Sequence, residues 1–322
     1  MHLAIFLCKI NLRIPCILVD KRLVRKGHLA MKTRYKKRRY LSVKILVIVV
    51  GLTGLFVLYR GFNPAKEYVT EFIATQQDAL FKNETSDLRQ NWRAALVDVN
   101  QPVEIAVYNK KTGTTSKLTM HANTAFKTAS IVKVSILGNL LRQHAENGTS
   151  LSPYEDELAK AMITNSDNDA ATALLEAQGT YAAPDTLFDK LGMHDSQMDT
   201  DAWGFSTTSA LDQVTLLKNI FYKSNVFTAG TQEYMQQLMN EVAVDQSWGV
   251  TAGVGSDGQI QLKNGWLDDE DGSWIINSIG HVSTNNTDYV IAVLTEENDT
   301  ESDGISLIEQ LSKATYQTLN KS

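Results

Sequence analysis

Between Thr128 and His144 the chain places Ile131, Val132, Val134, Ile136, Leu137, Leu140 and Leu141 around most of a helix's circumference. Such a helix has to be wrapped by other elements, so this chain must fold in layers around it. Near its start stand Ser130 and Lys133, three residues apart and on one face of a helical turn. Two polar side chains turned into a core are costly without a use. A serine becomes a nucleophile when a base takes its proton, and lysine can serve only when neutral. Burial and a second nearby cation would each lower its pKa, and Lys263, on a separate segment, is a source of that charge.

The surrounding sequence supplies the layers. Tyr68, Val69, Phe72, Ile73 and Leu80 give a helical register from Ala65 to about Lys82. Val103–Tyr108 and Ser116–Met120, joined through Lys111-Thr112-Gly113, read as a hairpin. A helix-rich middle, including Glu155–Thr164, runs to about Tyr222. The stretches Gln259–Leu262, Trp274–Val282 and Asp288–Thr295 are rich in Ile and Val and separated by turn residues. A last helix spans Ile305 to about Leu319. Two strands early and three late imply an α/β (α+β) fold with a five-stranded antiparallel sheet that the chain leaves and rejoins.

A lone Ser-x-x-Lys arises about once by chance in a chain of this length, and its plain reading is a helix start. Two further triplets change that. Ser166-Asp167-Asn168 is by itself an Asx turn or helix cap. Functionally, the Ser166 hydroxyl can relay a proton to a leaving amine, and the Asn168 amide can hold substrate and lysine together. Lys263-Asn264-Gly265 would otherwise end a strand. Yet Gly265 at a strand edge permits close approach of a ligand, and the Trp266 N–H would donate beside that of Ser130 to an oxyanion.

In content and order these motifs resemble the class A β-lactamase and penicillin-binding protein superfamily. Ser247-Trp248-Gly249-Val250, Lys263-Asn264-Gly265-Trp266 and Trp274–Gly280 are similar to the late-strand block of class A-related serine hydrolases. The resemblance covers roughly residues 65–320. It implies a β-lactamase/transpeptidase-like fold, with helices on both faces of the sheet plus an all-helical subdomain. It also implies Ser130 as nucleophile, Lys133 as base, Ser166 as proton shuttle, Lys263 as electrostatic anchor, and Asn168, Asn264, Gly265 and Trp266 as substrate contacts.

Three departures stand out. Class A enzymes carry a deacylating glutamate in a loop whose counterpart here, Met193–Ser206, has none; Asp199 and Asp201 are the candidates to position water, and Asp195, Asp199 and Asp201 otherwise read as turn or cap residues. Asn264 replaces the usual Thr or Ser. The turn Asp268–Ser273 holds four acids and no arginine, and would weakly oppose an anionic ligand.

Charge divides the chain. Residues 1–60 hold 14 Lys and Arg against Asp20 alone, and the remainder holds 17 basic against 35 acidic residues. So acidic a domain is a poor partner for nucleic acid. The apolar run at 41–60 is long enough to span a bilayer, and Tyr59, Arg60 and Phe62 after it give no small-residue cleavage site. Lys36, Lys37, Arg38 and Arg39 before it put residues 1–40 in the cytoplasm and 61–322 outside, at a Gram-positive cell surface. Met31 opens a compact basic leader, so residues 1–30 are a candidate mis-assigned start. Cys8 and Cys16 both precede the span and leave the external part without a thiol. His121, His144, His194 and His281 lack metal-ligand spacing, and no cofactor is expected. The expected function is a membrane-anchored serine hydrolase forming an acyl-enzyme on Ser130 with a β-lactam or related amide. The alternatives are a D-alanyl-D-alanine peptidase acting on peptidoglycan stem peptides and a non-catalytic penicillin- or wall-binding sensor.

Overall fold

The computed structural model describes residues 84–122, 125–269 and 271–320. The basic leader, the start at Met31, the apolar span at 41–60, the helix expected over Ala65 to Lys82, and Glu270 lie outside these residues. Among the described residues no helix is long and apolar enough to cross a membrane.

An antiparallel sheet in the order β2-β1-β7-β6-β5 is the frame. Its strands are β1 (Val103–Asn109), β2 (Thr114–Met120), β5 (Gln259–Asp268), β6 (Trp274–Ser283) and β7 (Asp288–Asn298). After the β1-β2 hairpin the chain departs, then returns to lay β7 against β1, with Ala292 opposite Ala106. Strand β5 is left at the edge.

Tyr289, Ile291 and Val293 of β7 enter one core while Val290, Ala292 and Leu294 enter another. A strand buried on both sides reads as a continuous apolar run, which is how this one appears in sequence. The first core is closed by α1 (residues 84–95) and α8 (Glu301–Leu319), joined where the Trp92 indole N–H donates to Thr315 Oγ1 at 2.8 Å. The second is closed by α2 (Val132–Asn147), α3 (Pro153–Thr164), α4 (Asn168–Ala177), α5 (Asp185–Leu191), α6 (Ala210–Phe221) and α7 (Ala229–Asn240). The expected fold class therefore holds, helices on both faces and a helical half included.

Helix α2 is buried without interruption from Val132 to Leu140. Each such Val, Ile or Leu contributes about 1.5–3 kcal/mol relative to an exposed side chain. The helix stops at Gly148, whose φ of 66° suits glycine, and the Thr149 N–H closes on His144 O at 2.9 Å. Ahead of α2 the chain forms a 3-10 turn, Ala129–Ile131, so Ser130 sits on that turn and not in the α-helix. Helix α3 opens with a reciprocal capping box between Ser152 and Glu155 and with Pro153 in its first turn.

Two features differ from the expectation. A two-residue strand β3 (Phe126–Lys127) pairs with β4 (Thr207–Thr208), too short to leave any periodicity. Strand β5 runs on through Lys263, Asn264 and Gly265 to Asp268, where a strand end was expected after Leu262. None of those three residues favours a strand, and pairing with β6 from Gln259 to Asp268 carries them through.

Candidate active site

The 3-10 turn, the loop between α3 and α4, and β5 bring the three motifs together. Lys133 Nζ lies 2.9 Å from Ser130 Oγ and 3.2 Å from Ser166 Oγ. It donates to Ser166 O and to Asn168 Oδ1, both at 2.6 Å. Lys263 Nζ reaches Ser166 Oγ at 2.9 Å and donates to Asn264 O at 2.8 Å. One continuous line of polar contacts thus runs from Ser130 through Lys133 and Ser166 to Lys263. Asp167 has the plain role its type suggests, capping α4 through the Ala170 N–H at 2.8 Å, while its neighbours Ser166 and Asn168 turn to Lys133.

Both lysines are fully buried. Burial pushes the Lys133 amine down to about 7, against a smaller opposing pull from Asp167. Lys263 is lowered well below the ordinary lysine range, first by burial and then by repulsion from the Lys133 amine. Burial is thus the main lever on Lys133, and the repulsion expected between the two amines registers on Lys263.

Backbone strain and close packing fix the geometry. Ala129, just before Ser130, has a φ of 44° and Ser166 a φ of 57°, both in the left-handed region that side chains disfavour. A Cβ on Gly265 would stand 2.8 Å from Ser130 N, 2.9 Å from Ile131 N and 2.9 Å from Thr128 O, so only glycine lets β5 lie against the serine turn. From β6, the Asn277 amide donates to Lys127 O at 2.8 Å and Thr128 O at 3.0 Å. Its oxygen accepts from the Thr295 N–H. Glu296 accepts the Lys127 N–H at 2.5 Å, and burial raises its pKa. Asp269 of the acidic turn pairs with Lys127.

Other expected site residues lie elsewhere. Asn264 is fully buried, with its amide hydrogens on Gln246 O (2.8 Å) and Trp248 O (3.1 Å) and its oxygen accepting from Ser278 Oγ at 2.6 Å. Every strong group of that amide is committed, and none is left for a substrate carboxylate. It ties the segment 246–248 to β5, and the overlapping segment 243–246 grips the Ser166 loop through Ala243 N–H to Thr164 O and Gln246 Nε2 to Asn165 O. Asp199 Oδ1 accepts the N–H groups of Asp201 and Ala202, capping the next turn, and Asp201 is exposed. Neither carboxylate is among the groups touching Lys133. From this segment Trp203 reaches Lys133, its ring centroid 5.0 Å from Nζ, and Ser206 O accepts the Thr128 N–H at the head of the serine turn at 2.7 Å. The Trp266 ring lies 5.9 Å from Lys263 Nζ and packs edge-on against Trp248.

The sequence profile of the beta-lactamase enzyme family matches residues 155–319, just over half the chain. The chain belongs to that family. The match takes in Ser166 and Lys263 and begins beyond Ser130 and Lys133. A comparison with curated protein sequences finds no match. Among solved structures, a class A beta-lactamase from Bacteroides cellulosilyticus shares the fold at 20% identity and a TM-score of 0.65, covering 74% of this chain and 99% of that one. PBP-A is similar at 21% identity and a TM-score of 0.63, covering 74% and 97%. A class A beta-lactamase from Mycobacterium abscessus, at 17% identity and a TM-score of 0.60, covers 71% and 98%. Membership of the beta-lactamase family and this fold support a serine hydrolase of β-lactamase or penicillin-binding type.

Proposed function

We propose that Ser130 is acylated by a β-lactam or related amide. The observation that carries this is a serine hydroxyl 2.9 Å from a fully buried lysine whose amine is half neutral near pH 7. Lys133 takes the Ser130 proton as Oγ bonds to the carbonyl carbon. The Ser130 N–H, against which Gly265 packs, and the Trp266 N–H next along β5 receive the oxyanion. The C–N bond then breaks, and the proton passes from Lys133 through the Ser166 hydroxyl to the leaving nitrogen. An anionic substrate near Ser166 would draw Lys263 back towards its charged form, making it the anchor. Of the substrate contacts first expected, Asn168 keeps that role and Asn264 becomes structural.

The natural setting completes the proposal. Residues 41–60 anchor the chain and residues 61–322 face a Gram-positive cell wall, where a D-alanyl-D-alanine stem peptide is the corresponding amide. A PBP-A variant has been captured as an acyl-enzyme complex with penicillin G. Among the described residues no carboxylate hydrogen-bonds Lys133, which favours slow release and a penicillin-binding role over rapid hydrolysis. Intact-mass measurement of the full-length protein with penicillin G, followed for hours, tests the reading. An adduct that decays slowly supports it, release within seconds makes the chain a rapid hydrolase, and no adduct refutes acylation by β-lactams. Resistance of the native protein to alkaline extraction from membranes tests the anchor.

A further inference from the structure

The arene beside Lys133 is held in place with care. Trp203 lies in a 3-10 turn, Trp203–Phe205, braced by Asp199 from one side. Ser206 braces the other side, its hydroxyl donating to Trp203 O at 2.7 Å and accepting the Asp199 N–H at 2.9 Å. The ring itself is fixed by its Nε1–H, which donates to Thr172 Oγ1 on α4 at 3.2 Å. Helix α4 also begins with Asn168, the partner of Lys133. One helix therefore sets the amine and the indole that faces it.

We infer that Trp203, steered by Thr172, is a positioning residue that closes the Lys133 side of the site to water and so prolongs the life of the acyl-enzyme. The inference rests on the acylation proposed above and extends it to the second half-reaction. Deacylation requires a water beside the ester carbon and a group to take its proton. On this side stand an indole carbon face, which accepts no proton, and an amine already engaged with Ser130, Ser166 and Asn168. Among the described residues, the charged groups that interact electrostatically with this amine are Asp167 at the start of α4 and Lys263 on β5. None comes from the Trp203 turn. Removing the ring admits water to a fully buried amine and restores part of its hydration.

Two measurements on the full-length protein separate this inference from the acylation reading. The first is the half-life of the penicillin G adduct by intact mass. The second needs no substrate: titration of Lys133 by NMR in protein carrying [ε-13C]lysine, its signal assigned by loss in Lys133→Met. Trp203→Leu should shorten the adduct half-life at least tenfold and raise the Lys133 midpoint by about one pH unit. Thr172→Val, which frees the ring without removing it, should shift both in the same direction by less, and Trp203→Phe should restore most of the wild-type behaviour. If half-life and midpoint both stay at wild-type values in Trp203→Leu and Thr172→Val, the inference is overturned. If no adduct forms in any protein while the midpoint still rises, Trp203 stands as the residue that shields Lys133 and the acylation reading falls instead.

Discussion

Gly265 and Ser130 belong to segments 135 positions apart, yet a single added methyl on the glycine would stand 2.8 Å from the serine's backbone nitrogen. The obstructing atoms are all backbone, so no side chain can swing aside. Gly265→Ala should therefore displace the serine turn, and misplacement by about 1 Å costs on the order of 100-fold in rate. The strain on the fold is that of overpacking, about 1–3 kcal/mol. Acylation rate and thermal midpoint measured on the same variant should show the rate falling far more than stability.

Lys133 acts as a base only when neutral. Its amine titrates at about 7, so the acylation rate should rise about tenfold per pH unit below that value and level off above it. The same shift has a stability cost: between about 7 and 10.5 the unfolded chain holds a proton that the folded amine has lost, so stability should climb with pH across that window. Acylation rates and denaturant midpoints from pH 5 to 9 check both signs.

Removing the base should cost about two to four decades of acylation rate, so Lys133→Ala is expected to acylate at least 100-fold more slowly. Ser130→Ala should take no adduct while keeping its circular dichroism spectrum. Labelling that survives in Ser130→Ala would locate the nucleophile elsewhere.

Asn264→Ala would leave Gln246 O and Trp248 O without their donor and the Ser278 hydroxyl proton without its acceptor, while Ser278 Oγ keeps the Val250 N–H. Each buried unsatisfied group costs about 1–3 kcal/mol, less where water can enter. The thermal midpoint should drop by several degrees, with faster protease cleavage near residues 243–248. A loss of substrate affinity with stability unchanged would instead return Asn264 to the list of substrate contacts.

His281 accepts burial against Phe221, with Gln261 and Asp288 on its two ring nitrogens and Tyr222 sharing that carboxylate. Burial lowers its pKa from 6.5 despite Asp288. As pH falls through 6.5 the unfolded chain takes up the proton first, so the stability this residue supports is present above 6.5 and lost as pH falls through its lower folded value. His281→Gln should flatten the acid side of the stability curve, measured from pH 7 to 4.

The sheet was legible because β6 and β7 carry long Ile and Val runs, and α2 because its apolar residues surround most of its circumference. Chemistry was legible where three short motifs each supplied a polar group, and the structure joins Ser130, Lys133, Ser166, Asn168 and Lys263. Asn264 reads either way in sequence because an amide donates equally well to a ligand or to its own backbone, and only the neighbouring segment shows which groups it holds here. Trp203 belongs to no motif, and the carboxylates of Met193–Ser206 are the more conspicuous chemistry there; its one sequence signal is a large aromatic in so short and polar a stretch. Asn277 left a trace too, as a polar side chain in the middle of an apolar strand.

Ala129 and Ser166 hold positive φ angles on either side of Lys133. Each costs on the order of 1–3 kcal/mol that the packed layers must offset. Selection of this chain for heat resistance alone would therefore reward a glycine at both positions, at 166 together with loss of the hydroxyl, and the reactive centre would be the first part of the molecule to erode.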